Sequence, residues 1–278
     1  MSTRKPGGHP ARAAQAEDAR EARRAKAAAM RQRELAKERS RRVLLISIAV
    51  VVVLAVVAVV AVVIDRSRED DVPLAAQVVP PSAGARGAGY VLPGTPAAGA
   101  PRLDVWLDYQ CPYCEQFETR AGDAVVELAS SGRAEVVVHT LTFLDGNLGN
   151  DSSQRAAEAA AAADAQGRFV EFNRTVFANQ PEQEGTGYTD DQLRRFAQDA
   201  GITGDALEQW QAAYDGHAYR DYVQSVADSM QENGVTGTPT VTVTPAGGQA
   251  QEVPTEDVLG SDPVAALQQA VAAATTTP

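Results

Sequence analysis

The sequence predicts an α/β fold, in which helices cover a mixed β-sheet, preceded by one transmembrane helix. Strand-like and helix-like segments follow one another in the order strand, helix, strand, a block of helices, a hairpin and a last helix. This order is typical of a mixed sheet covered by helices. Ahead of these segments lies an uncharged run, residues 43–64, that is more apolar than any other part of the chain.

The run 43–64 is long enough to cross a bilayer. As a helix rising about 1.5 Å per residue it would span roughly 33 Å, enough for the hydrocarbon core. A cleaved signal peptide is the alternative, but its apolar region has only about 7–15 residues and ends at small side chains. This run ends in Val63-Ile64, before Asp65. The pattern therefore favours an uncleaved signal anchor over a signal peptide or a buried core helix.

Charge predicts the orientation of this anchor. Residues 1–42 hold 13 of the 25 Lys+Arg and only 5 of the 36 Asp+Glu, whereas 65–278 hold the other 12 and 31. The positive-inside bias places the basic tail in the cytoplasm and residue 65 onward outside. The tail is either a helix bound to anionic lipid or a disordered segment. The acidic exported part offers no attraction to nucleic acid.

After the anchor, residues 65–101 are rich in Pro, Gly and Ala and are expected to form a linker. Within it, Tyr90-Val91-Leu92 suggests an extra edge strand. The folded domain is expected over 102–278, with a helical insertion at about 150–232.

Hydrophobic patterns and capping residues predict the elements of this domain. Val136-Val137-Val138 indicates a strand buried on both faces. Thr189 to Gln192 is a capping box, Asp262 precedes a proline at a first helical position, and Asp151 or Ser152 caps an alanine-rich helix. The predicted strands are 102–108, 135–141, 240–244 and 251–253, and the predicted helices are 115–130, 152–166, 169–177, 190–199, 204–214, 217–232 and 263–274.

The only two cysteines of the chain stand together in Cys111-Pro112-Tyr113-Cys114, between the first strand and the first helix of the domain. Thiols at this spacing can close and reopen a small disulfide. The helix N-terminus favours a thiolate at Cys111, and Cys114 lies one turn further in and is less exposed. We therefore expect Cys111 to attack and Cys114 to resolve.

Other interpretations of the pair are weaker. A zinc site needs about four ligands, and the sequence offers two cysteines with His139, His217 and a tail histidine, so no metal site is expected. Both domain histidines are expected to serve packing or the surface. A purely structural disulfide would close a tiny loop and constrain little. Coincidence stays open for the C-x-x-C pattern alone.

A second motif, Thr238-Pro239, directly precedes the strand 240–244. Together the two motifs resemble the thioredoxin fold, whose cis-proline lies against the C-x-x-C pair and gives substrate a backbone edge. The resemblance implies that Thr238 and Pro239 bind substrate. Because 125 residues separate Cys114 from Pro239, the chain resembles the DsbA family, a thioredoxin fold with an inserted helical subdomain. The segment from Asp108 to Cys114 also resembles the membrane-tethered or secreted DsbA-like proteins of Gram-positive bacteria.

The chain departs from this family in two places. Tyr113 stands where DsbA has histidine, which predicts a milder oxidant, and Pro112, Tyr113 and Asp108 are the expected redox-tuning residues. Val105 occupies the position of the family's buried acid. Asp104 and Asp108 flank Val105 on the opposite strand face, and Asp108 either tunes the pair or is a solvated strand-end carboxylate, the second being favoured.

These features predict an extracytoplasmic thiol-disulfide oxidoreductase, anchored in the cell membrane by one helix. It would introduce disulfides into exported proteins through the Cys111–Cys114 disulfide, with no cofactor. The resemblance implies reoxidation by a quinone-linked membrane partner of the DsbB or vitamin-K-epoxide-reductase type. The alternatives are a thiol-disulfide reductase or isomerase, and a membrane-tethered binding module with a structural disulfide.

Overall fold

The computed structural model describes residues 78–275 of the chain. The predicted basic tail (1–42), the predicted anchor (43–64) and the linker up to residue 77 lie outside the described residues. Within 78–275, no helix combines the length and the apolar character needed to cross a membrane. The transmembrane anchor therefore stays a prediction from the sequence.

A five-stranded mixed sheet lies at the centre of the described domain, in the order β1-β3-β2-β4-β5. Strands β2 and β3 are parallel, and the other neighbouring pairs are antiparallel. Nearly every residue of β2 and β3 is buried, which explains their continuous apolar sequences. The predicted strands, including the edge strand near residue 90, are confirmed. Their bounds are β1 (Tyr90–Val91), β2 (Arg102–Asp108), β3 (Glu135–Leu141), β4 (Thr240–Thr244) and β5 (Gln251–Val253).

Helices cover this sheet, and α2 to α7 form an insertion between β3 and β4. The sequence pattern does not predict α2 and α8, because such short helices show no helical period. The bounds in the described residues are α1 (Pro112–Ser130), α2 (Phe143–Leu148), α3 (Ser152–Asp164), α4 (Phe169–Ala178), α5 (Asp190–Asp199), α6 (Asp205–Asp215), α7 (Arg220–Glu232), α8 (Thr255–Val258) and α9 (Pro263–Ala274).

Helix α3 is the central helix of the insertion. It contacts α4, α6, α7 and β3, and all seven of its alanines are fully buried. Because alanine side chains are short, these neighbours approach the helix closely and leave little empty space. Trp210 of α6 anchors the packing, since its indole Nε1 donates to the carbonyl of Ala159 at 2.9 Å.

The capping predictions were right at two helices and wrong at one. Thr189 and Gln192 form the predicted capping box of α5, and Asp262 accepts from the third residue of α9. At α3, neither Asp151 nor Ser152 caps through its side chain. The unpredicted helix α2 instead brings Asp145 to the start of α3, where its carboxylate accepts from the first-turn N–H groups.

The helix predicted over 217–232 begins at Arg220 instead. His217 adopts a left-handed conformation with φ of 49°, which a continuous helix does not permit. Its Nδ1 lies 2.8 Å from Oε2 of Glu158, a residue of α3. This contact holds His217 in the turn before α7.

Candidate active site

The Cys-Pro-Tyr-Cys segment lies where β2 leads into α1. Cys111 is the N-cap residue of α1, and its backbone N–H donates to the carbonyl of Asp108, the last residue of β2, at 3.0 Å. Pro112 occupies the first helical turn, where a missing N–H leaves no bond unmade. The structure thus places the pair at the predicted strand-to-helix junction.

The two cysteines differ in exposure. Both are free thiols; Cys111 keeps 5% of its surface exposed and Cys114 none. Tyr113, between them in sequence, is 61% exposed. A reagent or a substrate therefore reaches Cys111 first.

The two thiols also differ in acidity. A hydrogen bond from Cys114 is the main reason why the pKa of Cys111 falls from its ordinary value to about 6, and burial opposes this effect. Thr238 and backbone N–H groups of Tyr113 and Cys114 lower the pKa further. Burial raises the pKa of Cys114 well above its ordinary value. At neutral pH, Cys111 is therefore mainly a thiolate and Cys114 a thiol.

The second motif lies against the first. The Thr238–Pro239 peptide bond is cis, and the carbonyl of Thr238 accepts from the Cys111 thiol, with 3.4 Å between sulfur and oxygen. The Thr240 hydroxyl donates to the Gly237 carbonyl at 2.9 Å and fixes the turn that leads into β4. The residues that the two motifs single out thus meet, although they are 125 residues apart in sequence.

Asp108 is not the solvated carboxylate that the sequence favoured. Its side chain is fully buried, and it accepts from the Ser153 hydroxyl at 2.5 Å and from the N–H groups of Gln110 and Leu144 at 2.9 and 3.2 Å. Burial nevertheless raises its pKa to about 7. The prediction was wrong because the insertion, placed far along the chain, covers the end of β2.

The insertion also holds the residues between Asp108 and Cys111. The amides of Gln110 and Asn150 bond to each other at 2.9 and 3.0 Å. The Gln180 side chain donates to the carbonyls of Tyr109 at 2.8 Å and Cys111 at 3.1 Å. Sequence reasoning missed Gln180, and no local signal marks it, because it lies in a loop about 70 residues after the cysteines.

Glu118 is a second residue that the sequence analysis missed. It lies one helical turn after Cys114, and its carboxylate accepts from Asn173 at 2.9 Å. Its pKa is raised to about 7 by burial. A small cavity beneath the site is lined by Glu118 together with Val105, the position expected for the family's buried acid. The spacing of four from Cys114 is the signal that could have found it.

Asp104, Trp106 and His139 form a packed cluster on the opposite face of β2. The rings of Trp106 and His139 stack with centroids 3.6 Å apart, and His139 Nε2 lies 2.8 Å from Asp104. Burial opposes ionisation of Asp104, but hydrogen bonds from His139 and Arg102 hold its pKa below the ordinary value. Trp106 is buried and belongs to the core.

Comparison with known proteins agrees with this geometry. The profile of the family described as Thioredoxin matches residues 91–251. No curated protein sequence matches the chain. The chain belongs to the thioredoxin family. Within that family, the reduced cysteine pair at the start of α1 makes it a thiol-disulfide oxidoreductase.

Solved structures share the fold at low sequence identity. MdbA, a thiol-disulfide oxidoreductase from Actinomyces oris, is 20% identical, with 73% of this chain and 100% of that chain covered and a TM-score of 0.54. MdbA from Corynebacterium diphtheriae is 19% identical over 66% and 93%, with a TM-score of 0.53. BdbD from Bacillus subtilis is 17% identical over 66% and 98%, with a TM-score of 0.51. These likenesses show that the chain shares the fold of these proteins.

The different acidities of the thiols predict selective alkylation. Iodoacetamide should modify the reduced protein at Cys111, with a rate that rises around a midpoint near pH 6, because only the thiolate reacts. Cys111→Ser should remove this reaction below about pH 8, since Cys114 stays protonated. Mass spectrometry of samples labelled between pH 4 and 9 measures both effects. First labelling at Cys114, or a midpoint above pH 8, contradicts the assignment.

Burial of Asp108 predicts a pH-dependent stability. Its pKa rises from 3.8 to about 7 on folding, so the folded state binds more protons between these values and loses stability as the pH rises through this window. Asp108→Asn should remove the loss. From pH 4 to 7, the variant's free energy of unfolding should improve relative to the native chain by up to about 4 kcal/mol.

Urea unfolding at several pH values measures this change, with Asp199→Asn at the exposed end of α5 as the matched control. A constant difference between Asp108→Asn and the native chain across pH 4 to 7 contradicts a raised pKa for Asp108.

Proposed function

We propose that the protein donates its Cys111–Cys114 disulfide to exported proteins outside the cytoplasm. The observation that carries this proposal is the difference between the two thiols: Cys111 keeps a small exposed surface and is acidic, while Cys114 is fully buried and weakly acidic. A pair of this kind forms and releases a mixed disulfide at one defined sulfur.

In the first step, a substrate thiolate attacks the Cys111 sulfur of the oxidised pair. A bond forms between the substrate sulfur and Cys111, and the Cys111–Cys114 bond breaks. Cys114 leaves with the electron pair and takes up a proton, which its raised pKa favours. This protonation makes the reverse attack by Cys114 slow at neutral pH.

In the second step, another thiolate of the substrate attacks the substrate sulfur in the mixed disulfide, and Cys111 leaves as a thiolate. The low pKa of Cys111 makes it a good leaving group. The substrate has lost two electrons and two protons as its disulfide forms, and the cysteine pair has gained the two electrons. One proton stays on Cys114 and the other enters solvent.

Thr238 and Pro239 would present the substrate. In the reduced state the Thr238 carbonyl accepts from Cys111 at 3.4 Å, so a peptide that pairs with this backbone lies within reach of the reactive sulfur. The exposed ring of Tyr113, two residues after Cys111 in the chain, offers an apolar contact. Main-chain pairing would admit many sequences, as a donor for varied clients requires.

The proposed setting follows from the sequence. A single uncleaved helix over 43–64 anchors the domain in the cell membrane, with residues 1–42 in the cytoplasm and the linker carrying the domain outside. Exported proteins with reduced cysteines are the proposed clients. Each turnover leaves two electrons on the pair, so a quinone-linked membrane partner of the DsbB or vitamin-K-epoxide-reductase type is the proposed oxidant.

Cys114→Ala tests whether Cys111 exchanges disulfides with exported proteins in cells that produce the full-length chain. The variant cannot close the Cys111–Cys114 disulfide, so its Cys111 thiolate attacks a client disulfide and one client sulfur leaves as a thiolate, the reverse of the second step. Without Cys114 to break the adduct, mixed disulfides between Cys111 and exported clients should accumulate in the membrane fraction and disappear on reduction. Cys111→Ala is the matched control and should trap none, because Cys114 is buried. Separation of alkylated samples with and without reductant shows the adducts. If Cys114→Ala traps no exported protein, a binding module with a structural disulfide replaces the enzymatic proposal.

The redox state of the native cysteine pair in the same cells distinguishes a disulfide donor from the alternative, a reductase or isomerase. Acid quenching followed by thiol labelling reports the state of the native pair. A donor is kept mainly oxidised by its membrane partner, whereas a reductase or isomerase is kept mainly reduced. A mainly reduced pair would overturn the donor reaction.

A further inference from the structure

The side-chain amide of Gln180 binds two backbone carbonyls in the segment between β2 and α1, the second of them that of the attacking cysteine. Its Nε2 donates to the carbonyl of Tyr109 at 2.8 Å and to that of Cys111 at 3.1 Å. One amide group carries two N–H donors, so both bonds form together. A residue from the helical insertion thus contacts the main chain of the redox motif directly.

Gln180 is itself held in place by the end of α4. Its backbone N–H donates to the Phe177 carbonyl at 3.1 Å, and the Phe177 side chain is 1% exposed. The Phe177 ring packs beside that of Tyr109, with centroids 5.0 Å apart. The amide therefore reaches the two carbonyls from a packed helix end, with little freedom to turn away.

The Cys111 carbonyl has other donors. It accepts from the N–H groups of Cys114 at 3.0 Å and Glu115 at 3.2 Å, and the Cys114 N–H is also one of the groups that favour the Cys111 thiolate. A carbonyl oxygen has two lone pairs. When the Gln180 amide donates to the Cys111 carbonyl as a third group, the hydrogen bonds from the Cys114 and Glu115 N–H groups each become weaker. The Gln180 amide also offsets part of the carbonyl's negative charge close to the sulfur.

We propose that Gln180 is a positioning residue for the redox reaction, which fixes the Cys111 carbonyl and leaves the Cys114 N–H available to the Cys111 sulfur. The inference rests on the attacking role proposed for Cys111. The helical insertion thereby takes part in the chemistry, because Gln180, which follows α4, sets the electrostatic environment of the Cys111 thiol at the start of α1.

Gln180→Met tests this role, since methionine has a similar length and no donor. The pH midpoint of Cys111 alkylation in the reduced protein should move upward, because loss of one hydrogen bond changes the acidity constant about three- to tenfold. About half of Cys111 is ionised at pH 6 in the native chain, so the rate at pH 6 should fall about two- to fivefold. At pH 9 the rate should stay within about twofold of the native chain. Gln183→Met, in the exposed part of the same loop, is the matched control and should leave the profile unchanged.

Gln180→Glu keeps the length and places a carboxylate against two carbonyls, so it should shift the profile in the same direction and at least as far. If thermal unfolding shows that Gln180→Met does not fold, Gln180→Glu is the variant that tests the role of Gln180. A folded Gln180 variant with the native alkylation profile overturns the inference, even if its melting temperature is lower. That result leaves the proposed function standing, whereas failure of the Cys114→Ala trap removes the function itself.

Discussion

The placement of Cys111 at the N-cap of α1 is the constraint on which the rest of the site depends. There the sulfur meets the backbone N–H groups of Tyr113 and Cys114, which belong to the first turn of the helix. The same geometry puts Cys114 one turn deeper, where burial keeps it protonated. One strand-to-helix junction thus supplies both an accessible thiolate and a shielded thiol, and thiol-disulfide exchange needs this difference.

The helical insertion completes the junction. Ser153 and the turn after α4 bind the segment that joins β2 to α1, through Asp108, Tyr109 and the Cys111 carbonyl. Enclosing Asp108 carries an electrostatic cost, seen in its raised pKa. The same contacts with the insertion fix the connection between β2 and α1 that presents Cys111. They remove the conformational freedom expected of a surface turn. The insertion is therefore part of the reactive centre as well as a cover for the sheet.

Local patterns predicted most of the fold and the reacting atoms. Buried strands, capping residues and the Cys-Pro-Tyr-Cys spacing are patterns of a few residues and can be recognised locally. The Thr238-Pro239 motif was paired with the cysteines through the family resemblance. The environment of Asp108 and the role of Gln180 depend on contacts between residues 45 to 71 positions apart, which no local pattern encodes. Sequence spacing alone marks neither α2 nor the Asp145 cap, because both depend on the packing of the insertion.

We propose that the Cys111 thiolate is stabilised only moderately, which makes the disulfide a milder oxidant than that of DsbA. A pKa of about 6 lies between about 3.5 for DsbA and about 7 for thioredoxin. Equilibration of the purified domain with glutathione measures the reduction potential directly. The account predicts a value between about −120 mV, that of DsbA, and about −230 mV, the lower end for glutaredoxins. A potential as oxidising as that of DsbA, or as reducing as thioredoxin's at about −270 mV, would contradict it.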